Sequence, residues 1–277
     1  MSLPQTIKYI PFINRLESKT ISSLIVGYEV GDYIIDNGKV CAALIKKAVV
    51  IDTIRVLISN NTMGKYNHEV VRVTSEQPFT VTVGGTTTSY NPNDIYEVSQ
   101  KDLEKGRVRI GNDSGKIQLL TVKRGSINPS YRGTLEIIKS NEGIYVVNEV
   151  DFEEYLYAVL PGEMSTSVNL EALKVQAVCA RSFAYSRFYA NSYCSYGAHV
   201  DDSVASQVYN TVPEDEKSMK AVVDTRGLML RANGTVISAN FFSTSCGVTS
   251  NSGDVWSSAT REFPTYTPNY LRARTQN

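Results

Sequence analysis

Glu163 has the strongest chemical claim of any residue in this chain. It follows Pro161-Gly162 in the stretch EEYLYAVLPGEM, Glu153 to Met164, with Val159, Leu160 and Met164 as apolar neighbours. A general acid must hold its proton near neutral pH, and an apolar surround lifts a carboxyl toward that condition. The plainer reading is a solvent-exposed glutamate beside a turn, so the acid role depends on burial. Histidine chemistry has little material, because His68 and His199 are the only two histidines. That argues against Ser-His or Cys-His nucleophile schemes and against a multi-histidine metal site. Cys41, Cys179, Cys194 and Cys246 form no CxxC pair, so zinc-ribbon and thioredoxin-type motifs are both missing.

Two helices must position Glu163. Phe152, Tyr155, Leu156 and Val159 recur at helical spacing and predict a helix over 151–160. Asp151, Glu153 and Glu154 fall in its first turn, where the helix dipole favours negative charge. Pro161-Gly162 is expected to stop it. Ser165, Thr166, Ser167 and Asn169 offer N-caps for a second helix over 169–190. Leu173, Ala177, Ala180 and Ala184 line one face of it, and small residues there allow close packing, so this helix is expected to be central and buried. Lys174 and Arg181 share another face.

Around this pair the pattern changes twice. Residues 1–52 carry short apolar runs with a turn at Asp36-Asn37-Gly38, and 40–51 reads as strand or helix. Residues 53–150 alternate β-branched and polar residues in run after run, from IRVLIS at Ile54 to GIYVVNEV ending at Val150. After the helices comes a polar loop ending in SQVYN, then a helix over 213–225 that starts acidic. A hairpin over 228–245 turns at Asn233-Gly234, and a Ser-, Asn-, Thr- and Pro-rich tail is anchored by Trp256. The expected fold is α+β: a β-rich N-terminal lobe, a mixed catalytic lobe with a central buried helix, and a groove between them. The expected divisions are a β-rich extension over 1–52, a β-rich lobe over 53–150 and a helical/β lobe over 151–277.

Lys+Arg and Asp+Glu are 28 each, so no net charge attracts nucleic acid or anionic lipid. No apolar run reaches the roughly 18 residues of a membrane span. No signal peptide is visible, and Met1-Ser2-Leu3 has the look of an expression scar. The 17 tyrosines suit strands, interfaces and carbohydrate contact, and most are expected to be half-buried strand residues.

Five segments together resemble one family: YRGTLEI (Tyr131 to Ile137), EEYLYAVLPGEM, LEALKVQAVCARSFA (Leu170 to Ala184), SQVY (Ser206 to Tyr209) and ANFFSTSCG (Ala239 to Gly247). They resemble the stage II sporulation protein D family, whose domain the amidase-enhancer proteins of bacterial cell walls share. Residues 1–52 carry no such resemblance. The resemblance implies a lytic transglycosylase acting on peptidoglycan glycan strands, without a cofactor, with Glu163 as its catalytic acid/base. It implies work outside the cytoplasm, facing the cell wall, by a protein that is secreted or anchored through a segment preceding this chain. Peptide-stripped glycan strands are the expected substrate, sporulation the expected setting, and a cell-wall amidase a further expected partner.

Arg181 falls on a position that family uses, either to bind the substrate or to orient Glu163. An ion pair from Arg181 to Glu153 or Glu154 is the equal structural alternative. Gln176, Gln207, Tyr209, Ser243 and Ser245 match family motifs and are expected to line a glycan groove, with Asp202 and Asp254 as weaker candidates. Some sporulation-type members hold zinc just before a CQVY motif. Here Ala205-Ser206 stands where a His-Cys pair would be, and Cys194 and His199 cannot fill four positions, so no metal is expected. Two rival readings remain: a peptidoglycan-binding activator of an amidase, and a thiol enzyme using Cys246, which lacks an evident histidine base.

Overall fold

The computed structural model describes residues 8–11, 24–112, 114–242, 246–256 and 263–275. The chain opens with β1 (Lys8–Pro11), β2 (Gly31–Asp36) and β3 (Lys39–Ile45), a small sheet in the order β1-β3-β2. Asn37 and Gly38 turn the β2–β3 hairpin with φ of 47° and 74°, the left-handed pair that a two-residue hairpin turn requires. Residues 39–45 are therefore strand, not the helix their composition also allowed. Three long-range bonds hold residues 24–28, just before β2, to the rest of the chain. Tyr28 Oη donates to the Thr53 carbonyl at 2.6 Å, and Asn191 Nδ2 to the Leu24 carbonyl at 2.7 Å. His199 Nε2 meets the Val26 carbonyl at 2.8 Å.

A β-rich stretch follows: β4 (Thr53–Ile58), β5 (Arg72–Thr74), β6 (Phe79–Val83), β7 (Thr86–Tyr90), β8 (Tyr96–Glu97), α1 (Gln100–Glu104), β9 (Val108–Gly111), β10 (Ile117–Leu119), β11 (Ser130–Tyr131), β12 (Thr134–Ser140) and β13 (Gly143–Asp151). Then come α2 (Phe152–Glu163), α3 (Leu170–Ala190), β14 (Val200–Asp201), α4 (Glu216–Asp224), β15 (Arg231–Ala232) and β16 (Thr235–Val236). The fold is α+β, as expected. β7 and α1 escaped the sequence reading, as did the two-residue strands β11 and β14. β7, TTTSY, is an exposed edge strand with no apolar alternation, paired to β6 across Gly84-Gly85. α1 is a short helix whose capping box, Ser99 with Asp102, was its only local signal.

The main sheet has seven strands in the order β14-β4-β13-β12-β9-β6-β7. β14 runs parallel to β4, and the remaining pairs are antiparallel. A second sheet, β11-β10-β5-β8, has four short strands. One apolar cluster joins the sheets to the helices. It contains Ile54, Val56 and Ile58 of β4, Leu135 and Ile137 of β12, Tyr155, Leu156 and Val159 of α2, and Leu173, Ala177, Ala180 and Ala184 of α3. The alanines of α3 let the backbone come close, and this helix is buried along that face. On β4, Arg55 is buried between the carboxylates of Glu136 and Glu149. Glu149 lies directly opposite it on β13.

Candidate active site

α2 does not stop at Leu160. It runs through Pro161-Gly162, and Glu163 is its last residue. Pro161 has no N–H to give the Tyr157 carbonyl, a loss that ordinarily breaks a helix. Leu160 and Pro161 are buried, and their packing offsets that loss. Met164 closes the helix, its N–H bonding the Leu160 carbonyl at 3.0 Å while its own backbone is extended. The extra turn carries Glu163 to the C-terminal end of the helix.

The Glu163 carboxyl is half-buried, and Oε1 accepts the Val208 N–H at 2.9 Å. Burial raises its pKa above the ordinary glutamate value, and the Val208 bond pulls back only part of the way. Its place at the negative end of the helix dipole works in the same direction as burial. Gly162 sits against the same segment: a Cβ there would lie 3.1 Å from Thr211 Oγ1 and 3.3 Å from Val208 Cγ1. Gly162→Ala should displace Val208 by a few tenths of an ångström and lower turnover about tenfold, with the melting temperature nearly unchanged. Steady-state kinetics beside thermal melts check this.

The connection between α2 and α3 is held from α4. Lys217 Nζ donates to the Thr166 carbonyl at 3.2 Å and also to the Val168 carbonyl. Asn169 caps α3 by accepting the Glu171 N–H at 2.9 Å. From the other side, the SQVY segment is wedged between helices and sheet. Gln207 Oε1 accepts from Tyr155 Oη at 3.3 Å and its Nε2 donates to the Ala180 carbonyl. Tyr209 Oη donates to Asn148 Oδ1 at 2.7 Å, and its ring stacks on Tyr155 with centroids 5.0 Å apart. Burial pushes both phenols well above their usual pKa, so they stay protonated.

Several expected groove residues are thus elsewhere. Gln207 and Tyr209 are 2% and 1% exposed; they lie under the site and fix the backbone that presents Val208. Arg181 is 0% exposed. Its Nε and Nη2 hold Glu153 Oε1 and Oε2 at 2.9 and 2.7 Å, and further N–H groups reach the Val222 and Leu228 carbonyls. It therefore clamps α2, α3 and α4 at the start of α2, about 15 Å of helix from Glu163. Gln176 is also buried, and its Nε2 has no hydrogen-bond partner among the described residues. Asp202 is 0% exposed, paired with Arg124 at 2.6 Å and bonded by the Ser59 N–H. Asp254 is exposed on a short turn, where Oδ2 accepts from Asn251 Nδ2. Ser243 and Ser245 lie outside the described residues.

His199 is enclosed by backbone: Nδ1 accepts the Arg55 N–H at 3.0 Å, so Nε2 carries the proton given to Val26. Cys246 is exposed. Two cavities flank the core, one of about 820 Å³ beside Arg132 and Glu214 and one of about 910 Å³ beside Arg55 and Tyr145. Glu163 lines neither. The contact that sequence reasoning missed is the Val208 amide. Its one signal was its place inside the SQVY motif.

Residues 140–231, which include Glu163, Val208 and both site helices, match the family model described as stage II sporulation protein. Over these residues the chain is similar to the stage II sporulation protein D family. Over 127 residues it is 36% identical to the stage II sporulation protein D of Bacillus subtilis, aligning 41% of this chain with 37% of that protein. It is 33% identical over 150 residues to the protein of that name from Bacillus amyloliquefaciens, aligning 47% of this chain with 44% of the relative. It is 40% identical over 104 residues to the amidase enhancer of Bacillus subtilis, aligning 38% of this chain with 14% of that protein. The chain spans less than half the length of each of these relatives. The matched residues thus include Glu163 at the end of α2, the Val208 amide that holds its carboxyl and the Arg181–Glu153 pair.

Proposed function

We propose that this protein cleaves peptidoglycan glycan strands as a lytic transglycosylase, with Glu163 as the single acid and base. The observation that carries this reading is a half-buried carboxyl at a helix end, held by one backbone amide and raised in pKa. Ordinary glycosidases need two carboxylates, one to protonate the leaving oxygen and one to attack or to activate water. Asp201 and Asp202 share the electrostatic environment of Tyr155 with Glu163, yet both are 0% exposed and hydrogen-bonded. They cannot serve as that second group.

Glu163 gives its proton to the glycosidic oxygen as the bond from the anomeric carbon to that oxygen breaks. The 6-hydroxyl of the same sugar forms the new bond to the anomeric carbon, and its proton returns to the Glu163 carboxylate. No water is consumed, and the product is a 1,6-anhydro-muramyl end. The Val208 N–H steadies the carboxylate that exists between the two transfers. The substrate places this work on the cell-wall side of the membrane, and no described helix is long and apolar enough to cross one. The first step needs protonated Glu163. Activity should therefore fall tenfold per pH unit, to about one limiting slope, above the raised pKa of this carboxyl. A kcat/KM profile that stays flat from pH ~4.5 upward would show that another group is the acid.

A second reading has its own support in the match to the amidase enhancer. In it the protein holds glycan strands and stimulates a cell-wall amidase. Peptide-free glycan strands incubated with the purified protein separate the two. Shortened chains with anhydro ends are expected, whereas intact chains together with a stimulated amidase would favour the activator.

A further inference from the structure

The 820 Å³ cavity is unused by the chemistry at Glu163, yet the chain joins the two directly. Val208 bonds Glu163, and two residues on, Asn210 lines the cavity. From there Val212, Pro213 and Glu214 continue along its wall. The segment runs antiparallel to α2. The Asn210 N–H bonds the Ala158 carbonyl at 3.1 Å, one turn back from the acid. Glu214 then pairs with Arg132, which also reaches Glu154 at the start of α2. The wall thus extends about 14 Å of helix away from Glu163.

The chemistry of the cavity selects its ligand. Its wall mixes amides and hydroxyls, among them Gln77, Gln118 and Ser130, with the apolar side chains of Ile127 and Val212 and the carboxylate of Glu76. Its two cations are already committed, since Lys116 and Arg132 both pair with Glu214, at 2.9 and 2.8 Å. Burial alone would push the Glu214 carboxyl up, but the hydrogen bonds and charges of Arg132 and Lys116 outweigh it and hold the group below the usual carboxylate range. An anionic ligand would have to break these pairs. A neutral ligand dense in hydroxyl and acetamido groups would not, and the volume suits a few sugar rings.

We propose that this cleft is a distal subsite for the same N-acetylated glycan strand, reached from Glu163 along Val208–Glu214. The proposal rests on the glycan reading of Glu163 and adds where the rest of the strand lies. It makes the protein selective for long chains, because only a chain that spans both places gains both sets of contacts.

The test uses the full chain carrying Glu163→Gln, so that strands bind without being cut. Calorimetry measures affinity for peptide-free glycan oligomers of increasing length, alone and with Ser114→Trp, which fills the exposed rim, or Gln77→Ala. Affinity is expected to rise with length and then level off, and Ser114→Trp should remove at least about tenfold from the long-to-short affinity ratio. Gln77→Ala should remove a smaller part. A ratio unchanged by both variants overturns the assignment. So does a cleft that binds free stem peptides and loses them in Ser114→Trp. The two readings fail separately. If the wild-type protein cuts no glycan but the length dependence survives and is cleft-dependent, the subsite stands and the acid role of Glu163 falls. If cutting is normal and the ratio ignores the cleft, only the subsite falls.

Discussion

Glu163→Gln is expected to lower kcat on peptide-free glycan strands by about a hundred- to ten-thousand-fold. The glutamine keeps the shape of the side chain and an oxygen to accept the Val208 N–H, so the site geometry survives. What it loses is the proton, and with it both halves of the reaction. Stability should not fall. The folded-state pKa of Glu163 is raised, so its ionised form opposes folding once the pH exceeds that value. Removing the charge makes the variant equal or slightly more stable at neutral pH. The difference should vanish as the pH drops below about 4.3, where the unfolded glutamate is protonated as well. Paired kinetics and melts test both parts. Retained turnover with an unchanged melt would take the acid role from Glu163.

Arg181→Ala is expected to do the opposite. It leaves Glu153 buried without its cation, and the carbonyls of Val222 and Leu228 lose a donor. Breaking a buried ion pair by removing one partner costs about 3–5 kcal/mol. In a chain of this size that lowers the melting temperature by on the order of 10 °C. KM for the glycan should not move, because Arg181 acts at the far end of α2 from Glu163. The double variant Arg181→Met with Glu153→Leu should recover part of the loss. It cannot recover all of it, since the Gly227 N–H that also reaches Glu153 is left without that acceptor. A raised KM with an unchanged melt would return Arg181 to the substrate.

The helix pair around Glu163 was legible in the sequence because its apolar spacing and caps are local signals. The end of α2 was not, because the rule that proline and glycine stop a helix assumes an unburied turn, and Leu160 and Pro161 are buried. The motif residues Arg181, Gln207 and Tyr209 were visible as residues that matter, but a motif does not state depth. All three are buried, and burial comes from packing across elements distant in sequence, such as Tyr209 on Asn148 and Gln207 on Ala180. The Val208 amide was invisible in principle, because nearly every residue offers the same backbone donor. β7 escaped because an exposed edge strand needs no apolar alternation.

The central claim is that one carboxyl performs both proton transfers and that the substrate supplies its own nucleophile. Cleavage in heavy-oxygen water tests this most directly, with the new chain ends read by mass spectrometry. Ends lighter than reducing ends by one water and free of heavy oxygen are expected from the wild-type protein and not from Glu163→Gln. Reducing ends that carry the heavy oxygen would show that water attacks the anomeric carbon, and a second carboxylate would then have to stand beside Glu163.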